Sequence, residues 1–308
     1  LNRLKADLTL GLAGFIWGFG FVAQKDALHH IGPFTFVALR FLLSALVITP
    51  FVMREDGFKL LRHSKPSGLS RKNIVAMSAA FAIGVLLQQL GIQTTTVTNA
   101  AFLTGLYVVM VPAVGWILYR TKILPPTLIA ALLSLLGVWL LAGGSITKPL
   151  QGFGFGDLLV LGCAFGFAFQ VSMMGRIAKI IQIPFALSFI QYLMVGLIAS
   201  LLALCLEPMD WQTIRAAWIP ILYAGAISGG IAYTLQSVAQ QYTSSADTAI
   251  ILSSEALFGG LGGMWLLKER LDLAGWLGCA VIIIAIIVVE LAPFINRPLS
   301  LKPVISKT

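Results

Sequence analysis

The sequence predicts an all-helical integral membrane fold: ten transmembrane helices arranged as two five-helix repeats of inverted topology. Three observations predict it. Only 11% of the 308 residues are charged and 58% are hydrophobic, with a mean hydropathy of +0.92. A soluble domain carries roughly a quarter charged residues, so this chain lacks the charge to cover a water-facing surface. Apolar runs near the ~20 residues that cross a bilayer recur along the chain; they are continuous rather than alternating, which excludes a porin-type barrel. Finally, the chain writes one stretch twice. Gln88–Lys122 recurs at Gln236–Arg270 with an offset of 148, which sets Gln88 on Gln236, Gln93 on Gln241, Thr95 on Thr243 and Asn99 on Asp247. A fixed offset near half the chain length marks internal duplication.

In order, the expected spans are 6–25, 33–53, 73–93, 98–119, 125–143, 155–174, 184–205, 216–239, 246–267 and 272–292. The first follows Leu1–Lys5 in the manner of a signal peptide. No small-x-small cleavage site precedes Lys25 and further spans follow, so it is expected to be a permanent helix. The second carries Arg40 and leads into the basic segment Arg54–Lys72. The third and fourth are joined by the polar hinge Thr94–Asn99, and residues 6–143 form the first repeat. Residues 155–292 form the second, and residues 293–308 a cytoplasmic tail. With the N-terminus inside, fifteen of the 21 Lys and Arg lie on the cytoplasmic side, five lie opposite, and Arg40 lies within a span. That bias places both termini in the cytoplasm of a multi-pass protein of the plasma (inner) membrane. Five spans per repeat is an odd number, so the second copy enters from the opposite side. Inverted repeats of this kind recur in secondary transporters, with the substrate site near the midplane.

The net charge of +9 fits basic loops that fix orientation, and no nucleic-acid partner is expected. Cys163, Cys205 and Cys279 lie in apolar runs, so neither a disulfide framework nor a metal cluster is indicated. No phosphate-binding glycine loop or acid/base cluster is present, and no cofactor is expected.

Ala6–Lys25, with its apolar-Trp-Gly pattern, resembles the opening helix of EamA-type members of the drug/metabolite transporter superfamily. The resemblance extends to Ala38-Leu39-Arg40-Phe41, to Asn99-Ala100-Ala101-Phe102 leading to Tyr107–Pro112, and to Leu266-Leu267-Lys268-Glu269-Arg270. It departs from the family pattern where Ala256, rather than Pro, follows Glu255, and where the first copy ends Arg120-Thr121-Lys122 without a glutamate. The resemblance implies a central cavity lined by spans one, three, four, six, eight and nine, and a protein that works as a monomer.

Glu255 and Arg40 are the clearest ionisable residues inside spans, and such residues are costly in hydrocarbon and functional candidates by default. Glu255 lies near mid-membrane, where it is a candidate for proton coupling or for binding a substrate amine. Arg40 lies closer to the outer interface, within snorkelling reach of it, and is expected to be a structural charge. Gln88 and Gln236 hold matched positions, and Gln170 has no matching amide in the first copy, which favours it as a pathway residue. Trp17, Tyr107, Phe167 and Tyr233 lie deep in spans one, four, six and eight, where they offer apolar faces and polar handles. Asn99 and Asp247 are expected to cap their helices. The glycine pairs Gly14/Gly18, Gly225/Gly229 and Gly259/Gly263 are expected to permit close helix contact.

The expected function is export of small metabolites, amino acids or similar amphipathic solutes, by alternating access across the lipid bilayer, and not enzymatic. The alternative is proton-coupled multidrug efflux of lipophilic cations, with protons exchanged at Glu255. A more remote one is a membrane-embedded lipid enzyme, for which His29 and His30 with Asp26 are the best available groups.

Overall fold

The computed structural model describes residues 2–55, 71–95, 97–141, 154–266 and 273–295, and among these the chain forms helices and no strand. Eight helical stretches are long and apolar enough to cross a membrane. The first three are α1 (Arg3–Ala27), α2 (Pro33–Arg54) and α3 (Arg71–Thr94). The fourth is made of two helices, α4 (Val97–Gly105) and α5 (Tyr107–Tyr119). Next come α6 (Pro125–Leu141), α7 (Phe155–Ile181) and α8 (Pro184–Leu206). A short α9 (Trp211–Ala216) precedes a stretch assembled from α10 (Trp218–Leu222), a π segment (Tyr223–Tyr233) and α11 (Thr234–Ala239). The chain continues through α12 (Ser245–Leu252) and α13 (Ser254–Leu266) and ends in α14 (Leu273–Ile295). Helix α6 is a shorter apolar helix, the α12–α13 pair is interrupted at Ser253, and both run to the edge of the described residues. Segment 56–70, residues 267–272 with most of the Leu266–Arg270 motif, Lys148 and the tail from 296 lie outside the described residues.

The outward faces are apolar. Leu46, Leu201, Leu204 and Trp265 are each at least 65% exposed, a distribution unfavourable in water and suited to lipid. The interior is built from α1, α2, α3, α7, α8 and the π segment, around Phe41, Phe81 and Tyr192, which are almost fully buried. The closest helix contacts need glycine. At Gly91 and Gly156, where α3 crosses α7, a Cβ on either residue would stand 2.6–2.8 Å from the other's carbonyl oxygen.

Contacts at the two ends of the bundle come in matched pairs. Glu207, just beyond α8, caps the start of α2: its carboxylate accepts from the Phe34 and Thr35 N–H groups at 2.8 and 2.7 Å and from the Thr35 hydroxyl at 2.7 Å. Glu55, just beyond α2, caps the start of α8 in return, accepting from the Ala186 N–H at 3.1 Å. Proline begins both helices, so one orphan N–H is removed and the carboxylate serves those that remain. Likewise Asp7 accepts from the Thr243 hydroxyl at the N-terminal face, and Asp157 from the Thr95 hydroxyl at the opposite face. At the opposite face Lys25 Nζ also donates to the carbonyls of Ile92 at 2.6 Å and Thr95 at 3.2 Å, which closes the end of α3.

Three expectations are corrected. Asp247 is not the cap of its helix. Ser244 is, with its Oγ accepting from the Asp247 N–H at 3.1 Å, so Asp247 sits at the third helical position and is free to pair with Arg3. Asn99 lies inside α4, which begins two residues earlier at Val97. The eighth expected span is not a regular α-helix. Its centre is an eleven-residue π segment containing Gly225, Gly229 and Gly230, and π turns inside α-helices frequently mark functional sites.

Removing the Glu207 cap leaves three donors short of a partner, so Glu207→Ala is expected to destabilise the fold by about 2 kcal/mol, read as a lower Tm in detergent. Glu55 behaves differently. Partial burial raises its pKa above the ordinary 4.5, so the native state binds its proton more tightly than the unfolded chain does. The stability this adds is full below about pH 4.5 and is lost as pH rises through the higher folded value. Glu55→Gln is expected to remove that slope from a plot of Tm against pH.

Candidate functional site

Near the middle of the bundle lies a cavity whose wall includes Arg40 and all eight residues expected along the pathway: Trp17, Gln88, Tyr107, Phe167, Gln170, Tyr233, Gln236 and Glu255. About 40 Å³ of it admits the centre of a water molecule, room for roughly three waters at 10–15 Å³ each. An amino-acid-sized solute needs the wall to open.

Two helix breaks build the site. The fourth span is interrupted at Leu106 and the ninth at Ser253, and the residues just beyond the breaks, Tyr107 and Glu255, face each other. The offset of 148 superimposes these two positions, which the difference in residue type hides in the sequence. The same offset pairs Gln88 with Gln236 and Thr104 with Leu252, and an offset of 150 pairs Trp17 with Phe167 and Phe21 with Val171. All ten of these residues line the cavity. Arg40, Gln24, Gln170, Ser228 and Tyr233 line it without such counterparts.

Arg40 is 2% exposed, so it does not snorkel to the interface. Its Nη1 donates to Gln24 Oε1 at 3.0 Å, its guanidinium lies over the Phe41 ring at 4.6 Å, and it faces the Tyr233 hydroxyl. The aromatic face and the amide replace part of the lost hydration. Tyr233 is itself fixed on several sides. Its ring centroid lies 4.3 Å from that of Trp17 and 4.9 Å from that of Phe81. Trp17 Nε1 donates to the Ser228 carbonyl of the π segment at 3.2 Å, which ties α1 to the irregular stretch.

The amides divide into two groups. Gln88 Nε2 donates to the Thr104 hydroxyl at 3.1 Å. Gln236 Nε2 donates to Gln170 Oε1 and Gln240 Oε1, Gln170 Nε2 donates to Gln191 Oε1, and Gln240 Nε2 donates to the Val171 carbonyl. Gln170 and Gln236, both expected along the pathway, belong to one buried ladder.

Buried polar groups are normally paired. Nine buried side-chain atoms lack a partner among the described residues, and three belong to the cavity wall: Arg40 Nε, the Tyr107 hydroxyl and Glu255 Oε1. Ser253 does not serve Glu255, because its hydroxyl donates to the Ile250 carbonyl, and the Ser254 hydroxyl is itself without a partner. The cavity thus presents a cationic donor, a hydroxyl and a carboxylate oxygen, walled by aromatic rings. Gln24 and Ser228 carry no signal in the sequence. The first is visible only through its bond to Arg40, the second only through the π turn.

The arrangement, a lipid-facing helical bundle around a small polar cavity between broken helices, is that of a polytopic transporter. The chain belongs to the EamA-like transporter family, whose profile matches residues 4–143 and 154–291. It is 30% identical over 294 residues to an uncharacterized transporter of Archaeoglobus fulgidus, covering 94% of this chain and 87% of the relative. It is 27% identical over 305 residues to the uncharacterized transporter YwfM of Bacillus subtilis, covering 93% and 94% respectively. A solved crystal structure shares the fold with a TM-score of 0.74 at 16% identity, covering 96% of this chain and all of the other. Both relatives carry the names of transporters, which is consistent with a protein that is not an enzyme.

Gly18 brings α1 against α13 beside Glu255, and a Cβ there would meet the Gly259 nitrogen at 2.6 Å and the Glu255 carbonyl oxygen at 2.8 Å. Because the obstacle is backbone, Gly18→Ala is expected to force the helices apart at about 1–3 kcal/mol, measured as a loss of thermal stability in detergent.

Proposed function

We propose that the protein is a secondary transporter of ten transmembrane helices in two inverted repeats, working as a single chain in the inner membrane with both termini cytoplasmic. It exports amino acids or similar amphipathic solutes by alternating access. The observation that carries this reading is the presence of a guanidinium and a carboxylate, each with an unpartnered polar atom, in one aromatic-walled cavity. Arg40 would take the substrate carboxylate, Glu255 its ammonium group, and Trp17 with Tyr233 its apolar part. The matched end contacts and the paired cavity lining support the repeat relation, and a cavity too small for its solute supports a cycle that opens it.

A second reading, proton-coupled efflux of lipophilic cations, is favoured by the Glu255 carboxylate beside aromatic faces. The buried Arg40 counts against it, since a cationic solute would share the cavity with a fixed positive charge.

Uptake into proteoliposomes of a labelled amino-acid panel, with and without a proton gradient, separates the two. Saturable uptake of one amino-acid class is expected, falling about tenfold or more in both Arg40→Gln and Glu255→Gln, a loss of at least ~1.4 kcal/mol of binding or barrier energy. Silence across the panel, together with saturable lipophilic-cation uptake that Arg40→Gln accelerates, would establish the second reading instead.

A further inference from the structure

A second cavity, of about 630 Å³, lies at the N-terminal face between the ends of α5 and α7 and the start of α12. Its volume falls in the range of small-molecule sites, and its charge is lopsided. Arg3, Lys122, Arg176 and Lys179 line it against one carboxylate, Asp247. That carboxylate is occupied by Arg3, whose Nη2 donates to Asp247 Oδ2 at 3.0 Å, while its Nε faces Asp7 at 3.4 Å. Lys122 and Lys179 make no ion pair within 4 Å among the described residues. The Arg176 guanidinium stands 4.6 Å from the Tyr119 ring centroid, a stacking contact that leaves the edge of the fork free for hydrogen bonds.

Three cations that make no ion pair within 4 Å among the described residues therefore converge on one concave space from two separate segments, with the Ser172, Ser244 and Ser245 side chains on the same wall. A single carboxylate offers too few oxygens to serve them. A phosphate group matches the planar fork of an arginine with a pair of oxygens and leaves others for ammonium groups. We propose that this vestibule binds a phosphate-bearing anion, held by Arg176, Lys179 and Lys122.

The site is distinct from Arg40 and Glu255 and does not rest on the transport reading. It stands next to the central cavity, because Ser172 of the vestibule follows Val171 of the cavity wall, and Val111 lies one helical turn beyond Tyr107. A bound anion would sit at the inner mouth of the pathway. The phosphate can arrive on a membrane lipid headgroup or on a soluble solute. Ile123 and Leu124, both exposed at the rim, are compatible with a lipid tail leaving the site.

The test titrates the purified full chain in detergent with two probes, glycerol phosphate and short-chain phosphatidylglycerol, and follows binding by calorimetry. Saturable binding of at least one probe is expected. It should weaken about tenfold in Lys179→Gln and in Arg176→Gln, and further in Lys122→Glu, which alters an exposed residue beyond α5. It should not change in Arg215→Gln, an exposed residue of α9 on the opposite face. Binding of phosphatidylglycerol alone assigns the phosphate to a lipid headgroup; binding of glycerol phosphate, alone or as well, assigns it to a soluble solute. The proposal is overturned if neither probe binds, if the vestibule variants with an unchanged Tm bind as the wild type does, or if Arg215→Gln weakens binding equally.

Discussion

No backbone or side-chain polar group inside a bilayer has water to turn to, and each one left unpaired costs several kcal/mol. The helix ends show how this chain meets that constraint. The starts of α2 and α8 are each capped by a carboxylate from just beyond the end of the other, Glu207 and Glu55. The carbonyls that end α3 are served by Lys25 from α1. These bonds cross between segments up to 173 residues apart, so they hold the bundle together as well as finishing its helices. The Gln170–Gln191–Gln236–Gln240 ladder in the interior follows the same rule and ends on a backbone carbonyl.

The central cavity holds three of the nine buried side-chain atoms that lack a partner among the described residues. At Leu106 and Ser253 the fourth and ninth expected spans pass through i to i−3 bonds, Leu106 N–H to the Leu103 carbonyl and Ala256 N–H to the Ser253 carbonyl, and irregular backbone at membrane depth is tolerated where it is buried in protein or lines a cavity. Tyr107 and Glu255, just beyond the breaks, stand face to face at positions separated by the 148-residue offset. Most of the wall is paired in this way. The pairing is unequal in residue type: a tyrosine stands opposite a glutamate, Arg40 has no counterpart on the wall, and among the described residues the π segment is confined to Tyr223–Tyr233. Together Arg40 and Glu255 set a guanidinium and a carboxyl group in one cavity.

Much of this was legible in the sequence. The apolar runs placed the helices, because bilayer thickness dictates their length, and the membrane cost of charge singled out Glu255 and Arg40. The eight expected pathway residues all reach one cavity wall, since depth along a span is readable by counting residues. Direction is not. Arg40 counts as shallow along α2, yet Gln24 and the Phe41 ring hold its head inside, and those partners become neighbours only through packing. Asp247 was misread as a cap because Ser244, three residues earlier, is an equally good one, and only the fold brings Arg3 within reach to claim the carboxylate. The π segment was hidden because its composition, rich in glycine and apolar residues, is also that of an ordinary tightly packed transmembrane helix.

The two faces of the bundle are closed by unequal means, and the inequality bears on how such a cavity would open. At the opposite face α3 and α7 touch through Gly91 and Gly156, the Thr95 hydroxyl donates to Asp157 across the same junction, and Lys25 of α1 bonds the end of α3. A Cβ at either glycine would stand within 3 Å of the other's backbone oxygen, so the two backbones are held in close approach there. At the N-terminal face the 630 Å³ vestibule already reaches to within one helical turn of the cavity. The barrier between them includes two neutral hydrogen bonds, from Ser172 to the Val111 carbonyl at 3.2 Å and from Gln240 to the Val171 carbonyl at 2.9 Å. Neutral bonds of this kind contribute about 1 kcal/mol each, and exchanging them for water in a wet vestibule costs less than that. On an alternating-access reading, the state described here is therefore one nearer to opening toward the N-terminal face, and the anion proposed for the vestibule would meet the solute at the point where that opening begins.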